Sequence, residues 1–583
     1  FSSPDDYFAA IRSTADGLPV VAEELYFHAV GCYSANSALK RRHRQAECSL
    51  LVAERLAAMA QTWVGWTPPT DRMRELWHSV CFQQFHDILG GCSIKGAADE
   101  AIMALTRAVM GAREVANSAG RAIAARINTQ GPGGTVVLFN PFPYSMSQYV
   151  AYDAWTDWQP WDGKNWGLVD DVGQPIAHQL LAADDALSAL ETRHSISRLL
   201  FRAELPPLGY RVYRFAPDLP RTGVDSRVRA IPGTLENERL RLSLDEETGA
   251  IVSCVDRASG LELVGPGGWN VAQVLEDTSD TWSHRVTHYD QVIGRFDDAR
   301  ITVGDEGPLQ VSLFIERSYQ GSTWLQQVVL RHDEPEILIR NWLHWEGRWR
   351  TLKLAFDVAV SEALAAHDVP FGWCHRPADG SERATQMWVD VTGPSLAGPD
   401  QTVGLGIIDD GKYGCDVSGS TARLTILRSP PYAYHEPPHV FGAKQRYDWT
   451  DQGPQEFTVV VRPHVGDWRT AGLVQRAREI NLPVTPITMH SHPGELASAA
   501  SLAALSSPEM ELTALKPAED GDGFVLRIAD RHGRGAQGEL RWLDQSFPVA
   551  LAPFEVLTLR LTQHTGGWQA TLCDMLERPT RAS

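Results

Sequence analysis

A chain of 583 residues exceeds what one hydrophobic core holds, so length alone argues for about three to five domains. A net charge of −19 and a pI of about 5.5 argue against a basic phosphate-binding face and hence against nucleic acid as a partner. No run approaches the roughly 18–20 apolar residues that cross a bilayer, so no membrane partner is expected.

The eight cysteines, Cys32, Cys48, Cys81, Cys92, Cys254, Cys374, Cys415 and Cys573, form no Cys-x-x-Cys pair. That spacing suggests neither a disulfide framework nor a thiolate zinc site, and it points to a reducing, cytoplasmic compartment. Any metal would then draw on His and carboxylate ligands. Phe1 is not an initiator Met, so removal of something upstream is expected. The 19 tryptophans read first as packing for β-sandwich cores and second as platforms for sugar rings.

Upstream of about residue 130 the pattern is helical. Leu39, Ala46, Leu50, Ala53, Ala57 and Ala60 predict a helix over 38–63, with Ser37 as N-cap and Pro68-Pro69 breaking the pattern. Leu76, Val80 and Ile88 predict a second helix over 71–89, stopped by Gly90-Gly91. Ile102, Leu105, Val109, Ala112, Ala116, Ala119, Ile123 and Ile127 mark a third over about 96–127. Three long helices with short connections predict an antiparallel bundle.

Gly131-Pro132-Gly133-Gly134 reads as a linker. Strands predicted at 135–139, 199–205 and 210–215 suggest a small β-sandwich, and residues 216–234 read as a second linker. From there to about 480 the pattern is β. Residues 240–244 alternate, 245–249 supply a turn and 251–255 return as a hairpin. Further strands are expected at 309–315, 326–330, 337–343, 352–356, 424–427 and 457–461. So long a nearly helix-free stretch predicts a large antiparallel sandwich. A last β segment spans 511–561.

The most informative short segment is Phe85-His86-Asp87-Ile88-Leu89-Gly90-Gly91. On composition alone, His86 meets the negative end of a helix dipole and Asp87 is its solvated neighbour. The segment also resembles the His-Asp motif of glycoside hydrolase family 38, the α-mannosidases. Leu18-Pro19-Val20, Glu24-Leu25-Tyr26, Gly31-Cys32-Tyr33-Ser34, Lys40, Arg44 and Glu47 follow the family's order upstream of it. Leu235-Glu236-Asn237-Glu238, Pro370-Phe371-Gly372, Gln386-Met387-Trp388-Val389-Asp390, Asp410-Gly411-Lys412-Tyr413-Gly414 and Leu427-Arg428-Ser429-Pro430 are similar to its large β domain.

The resemblance implies a multidomain α + β protein, a three-helix bundle followed by antiparallel β-sandwich domains. It places the tail of a catalytic α/β domain at 1–20, the bundle at 21–130 and a small sandwich at 131–220. A galactose-mutarotase-like supersandwich would span 221–485 and a C-terminal β domain 486–583. The activity it implies is zinc-dependent hydrolysis of terminal α-mannosides with retention, the Zn2+ serving as template and Lewis acid at the sugar's O2 and O3. Two carboxylates about 5 Å apart would carry the retaining chemistry. By the same resemblance His86 is a zinc ligand and Asp87 contacts mannose hydroxyls. The family's other zinc ligands, nucleophile and acid/base fall upstream of Leu18-Pro19-Val20. No catalytic carboxylate is therefore assigned here, and the chain alone is expected to be inactive.

The loop 276–284 is polar and acidic. It reads either as a solvated connection or as hydroxyl recognition at a sugar-pocket rim by Asp277, Asp280 and Trp282, and it could equally hold a cation through oxygen ligands. Asp451-Gln452-Gly453 reads as a structural turn. His435-Glu436 beside Pro437, and His490 with His492, resemble metal pairs by composition and read as exposed loop residues. No Gly-x-Ser-x-Gly elbow or P-loop is present. The expected partner is an α-mannoside. A homo-oligomer and a non-catalytic carbohydrate-binding or scaffolding β-sandwich protein stay open.

Overall fold

The apolar stripes upstream of residue 130 become helices in the computed structural model, which describes residues 2–21, 24–25, 28–155, 166–181, 196–435 and 447–580. Tyr26, Glu436 and Pro437 lie outside the described residues. A short helix α1 (Pro4–Ile11) precedes α2 (Ser37–Val64), α3 (Thr70–Gln83), α4 (His86–Leu89) and α5 (Lys95–Ala124). Asn36, rather than Ser37, caps α2, its side chain accepting from the Leu39 N–H at 3.4 Å. Gly65 closes α2 at φ 65°, a conformation that a Cβ disfavours.

The second expected helix is two. Phe85 is extended at ψ 137°, and its carbonyl accepts from the Ile88 and Leu89 N–H groups at 2.9 and 3.0 Å. Apolar spacing hid this break because Ile88 stays in phase with Val80. His86 therefore opens a one-turn helix instead of closing a long one, and the dipole reading of it does not apply. Leu50 and Leu56 of α2, Leu76 and Val80 of α3, and Leu105, Val109 and Ile123 of α5 share one core. Alanines such as Ala53, Ala60, Ala108 and Ala112, fully buried there, let the helices approach closely.

Downstream, the described strands form antiparallel sheets. The predicted hairpin is present as Leu240–Leu244 paired with Ile251–Asp256. It belongs to a ten-stranded sheet that packs on a nine-stranded one. Leu242, Trp269 and Phe356 from the first meet Leu313, Val328, Ile339 and Val459 from the second in one apolar core. Each such buried side chain contributes about 1.5–3 kcal/mol. Within this core the tryptophan N–H groups are satisfied, Trp269 by the Asp357 carbonyl at 2.7 Å and Trp345 by Ser429 Oγ at 2.6 Å.

At the end of the region expected to be nearly free of helix sits α6 (Leu473–Asn481), whose Leu473, Val474 and Ala477 join the bundle's core. The chain then returns to the first small sheet. Thr485–Met489 pairs with Gly134–Asn140, and Ala499–Ser501 pairs with Gly209–Pro217. Among the described residues no helix is long and apolar enough to cross a membrane, a statement that does not extend to strands.

The start of α2 is driven into the large sandwich by polar contacts. Asp451 accepts from the Ser37 N–H at 2.8 Å, placing a carboxylate at the positive end of the helix. Burial pushes the Asp451 carboxyl up to about 6, against the opposing pull of Lys412 and the Ser37 N–H. Arg41 pairs with Asp410 at 2.9 Å, and Arg44 donates to Tyr413 Oη at 3.0 Å and to the Gln386 carbonyl at 3.2 Å. Residues quoted above for their resemblance, Arg44 and the 410–414 run, thus meet at this joint.

Candidate functional site

A single turn, the 3-10 helix Val30–Tyr33, brings the bundle's motif and the sandwich's acidic loop together. On one side the Gly31 N–H donates to the Trp282 carbonyl at 3.0 Å. A Cβ on Gly31 would lie 2.6 Å from Ser283 Oγ and 2.8 Å from the Thr281 carbonyl, and would strike Arg428, so only glycine fits. On the other side Cys32 Sγ lies 3.3 Å from Cys92 Sγ, just past the His86 motif. Their hydrogen bond holds the Cys32 thiol below its ordinary range. Lys40 Nζ donates to the Ala35 carbonyl and, at 2.9 Å, to the Leu89 carbonyl, which ties α4 to α2. Burial lowers the Lys40 ammonium to about 8.

His86 and Asp87 themselves face outward. Their side chains are 79% and 56% exposed, and His86 Nε2 lies 3.6 Å from Asp87 Oδ2. The Phe85 ring tilts against the imidazole at 4.3 Å. Phe82, Phe85 and Ile94 leave large apolar surface exposed nearby in the chain. His86 belongs to no described group of three convergent metal donors. These two residues alone do not make a zinc centre, which takes three or more protein ligands.

The acidic loop is built in the opposite way. Asp277 is buried, and Arg428 Nε reaches its Oδ2 at 2.7 Å, with Thr351 Oγ1 at 3.0 Å. Ser279 Oγ donates to Asp277 Oδ1 at 2.5 Å and continues through Ser283 Oγ to Tyr289 Oη. Arg428 also donates to the Thr281 carbonyl at 3.0 Å and the Asp280 carbonyl at 3.1 Å. The Asp277 oxygens, expected at a sugar rim, are here taken up by internal donors away from solvent. Asp280 is likewise fully buried, accepting from the His284 N–H at 3.0 Å and facing His284 Nδ1 at 2.6 Å. Of the three residues expected at a sugar rim, Trp282 alone retains exposed surface.

Beside this loop stands His435. The Thr281 N–H donates to the Tyr434 carbonyl at 3.0 Å, and the Tyr434 N–H returns to Thr281 Oγ1 at 3.0 Å. That pairing sets the His435 ring 5.0 Å from His284 and 5.4 Å from Trp282, with His28 5.6 Å from His284 on another side. Donor atoms of Asp280, His284 and His435 all lie within 4.8 Å of one another. His435 is exposed, as its loop reading expects, but the sequence holds no sign of its pairing with His284. His490 and His492 lie in another connection, where their carbonyls accept from Thr129 Oγ1 at 2.9 and 3.4 Å. A cleft of about 910 Å3, lined by Arg41, Arg42, Trp342 and His344, includes none of the motif or loop residues above. The chemistry-bearing side chains, rather than cavity size, mark the candidate site.

Comparison with known proteins places this junction between two matched segments. Residues 27–123 match the alpha mannosidase middle domain, and residues 235–436 match the glycosyl hydrolases family 38 C-terminal domain. Alpha-mannosidase 2C1 of Homo sapiens is 27% identical over 602 residues, covering all of this chain and 50% of that protein. Alpha-mannosidase G of Dictyostelium discoideum is 20% identical, covering 91% of this chain and 50% of its own length. The chain thus spans about half the length of the curated relatives it matches. Among solved structures, an alpha-mannosidase from Enterococcus faecalis V583 superposes with a TM-score of 0.77 at 18% identity, covering 96% of this chain and 72% of that one.

Proposed function

Since the chain belongs to glycoside hydrolase family 38, we propose that the protein carrying it hydrolyses terminal α-D-mannosides with retention in a zinc-dependent reaction. The observation that carries this reading is the keyed junction. The middle-domain match brings His86 and Asp87 to one side of the Val30–Tyr33 turn, and the C-terminal-domain match brings Trp282 to the other. In this reading His86 is one ligand of a zinc ion whose other ligands lie outside the described residues. Asp87 accepts from sugar hydroxyls, and Trp282 offers a ring face to the sugar's apolar side. Exposed Phe85 against His86, with exposed Phe82 and Ile94 close by in the chain, suits cover by further protein. No nucleophile or acid/base is assigned within this chain. A reducing, cytoplasmic setting fits eight free thiols, two of them 3.3 Å apart and joined by a hydrogen bond rather than a disulfide.

The test is hydrolysis of an aryl α-mannoside by the full-length protein, with metal analysis of the same sample. Turnover with about one zinc per family site supports the proposal. Absence of turnover, or full turnover after exhaustive chelation, overturns it.

A further inference from the structure

Buried Asp280 faces two imidazoles contributed by segments far apart in the chain, an arrangement that hydroxyl recognition does not require. We propose that Asp280, His284 and His435 bind a single divalent ion of the zinc class, at a site separate from any that uses His86.

The donor chemistry selects the ion. One carboxylate oxygen and two imidazole nitrogens, all within 4.8 Å of one another, suit Zn2+ and its borderline neighbours better than Mg2+ or Ca2+, which take sets of oxygen ligands. The frame is fixed before any ion arrives. Arg428 holds the Asp280 and Thr281 carbonyls, and the Thr281–Tyr434 pairing fixes where His435 enters. Asp277 neutralises Arg428, so the cation would meet the Asp280 charge without an unpaired guanidinium beside it. Partly exposed His284 and exposed His435 leave a route in and room for a water as the remaining ligand.

Asp280 Oδ2 and His284 Nδ1 now stand 2.6 Å apart. Two ligands of a tetrahedral zinc at about 2.0–2.1 Å sit about 3.3 Å from each other. The pair must therefore open by about 0.7 Å, within reach of small side-chain rotations, and the ion replaces the proton shared between them. The Trp282 ring, 6.0 Å from that of His284 and nearly parallel to it, walls one side of the site.

The test titrates the 583-residue chain, stripped of metal, with Co2+ followed by visible absorption, then displaces it with Zn2+. The expected result is one tight equivalent in the wild type and in His86→Ala. His284→Ala, His435→Ala and Asp280→Asn should each weaken binding at least tenfold. His435 is exposed, so its substitution leaves folding intact and keeps the test readable if His284→Ala or Asp280→Asn fails to fold. No stoichiometric binding by the wild type, binding that survives either histidine substitution, or binding lost in His86→Ala overturns the proposal. Mannoside hydrolysis does not enter this readout, so this proposal and the proposed activity fail separately.

Discussion

The His86–Asp87 turn and the Asp277–His284 loop flank the same four-residue turn and differ in almost every physical respect. The first is exposed, polar and held from behind, chiefly by Lys40 on the Leu89 carbonyl. The second has a buried acidic core, Asp277, Ser279 and Asp280 being engaged by Arg428, Thr351 and His284. Exposed side chains are free to serve a ligand or further protein, whereas saturated ones fix geometry. The motif most recognisable in sequence is therefore the less constructed half of the junction. The better constructed half serves it as a base.

The largest effect should come from Arg428. Replacing it with Met leaves the Asp277 carboxylate buried without its cation and frees two loop carbonyls, at an expected cost of about 3–5 kcal/mol in denaturant unfolding. A loss under about 1 kcal/mol would show that the loop is not pinned as described. Gly31→Ala forces a methyl against Ser283 and the Thr281 carbonyl, and should cost about 1–3 kcal/mol. If the variant is as stable as wild type, the keyed contact between the two halves is wrong.

A third measurement contrasts buried acids. Burial pushes the Glu54 carboxyl in α2 up to about 7, opposed by the Trp77 N–H that donates to it at 2.8 Å. Its folded value lies above its unfolded one, so its contribution is complete below about pH 4.5 and is lost as pH rises to about 7. Glu54→Gln should flatten that slope, worth up to about 3 kcal/mol across the window. An unchanged pH profile would mean that Glu54 is ionised in the fold. The smallest effect is expected at the motif itself. His86→Ala should shift stability by no more than about 0.5 kcal/mol, because the side chain is exposed. A large loss would place His86 in the structural frame and erase the contrast.

Sequence carried the local features well. Alternation at 240–244 and 251–255, with Asp245–Gly249 turn chemistry between, matches the strands Leu240–Leu244 and Ile251–Asp256. The three apolar stripes became the bundle. Long-range pairing was not legible, because periodicity describes a strand's face and not its partner. Hence Thr485–Met489 gave no hint of its place beside Gly134–Asn140, 354 positions away at Thr135↔Met489 with only local signals between. The same reason hid the site's second histidine. His284 and His435 are brought together where the Thr281 N–H donates to the Tyr434 carbonyl and the Tyr434 N–H to Thr281 Oγ1. The internal engagement of Asp277 was hidden for a related reason. Only the fold shows that Arg428, Thr351 and Ser279 use up its oxygens.

The central claim, that an outward-facing motif on a rigid base serves mannoside chemistry, is tested most directly by one comparison. Aryl α-mannoside turnover is measured for the full-length protein and for its His86→Ala variant, alongside their unfolding midpoints. The account predicts turnover in the wild type, a loss of a hundredfold or more in the variant, and coincident midpoints. Equal turnover in both proteins, or a loss that tracks a fallen midpoint, would contradict it.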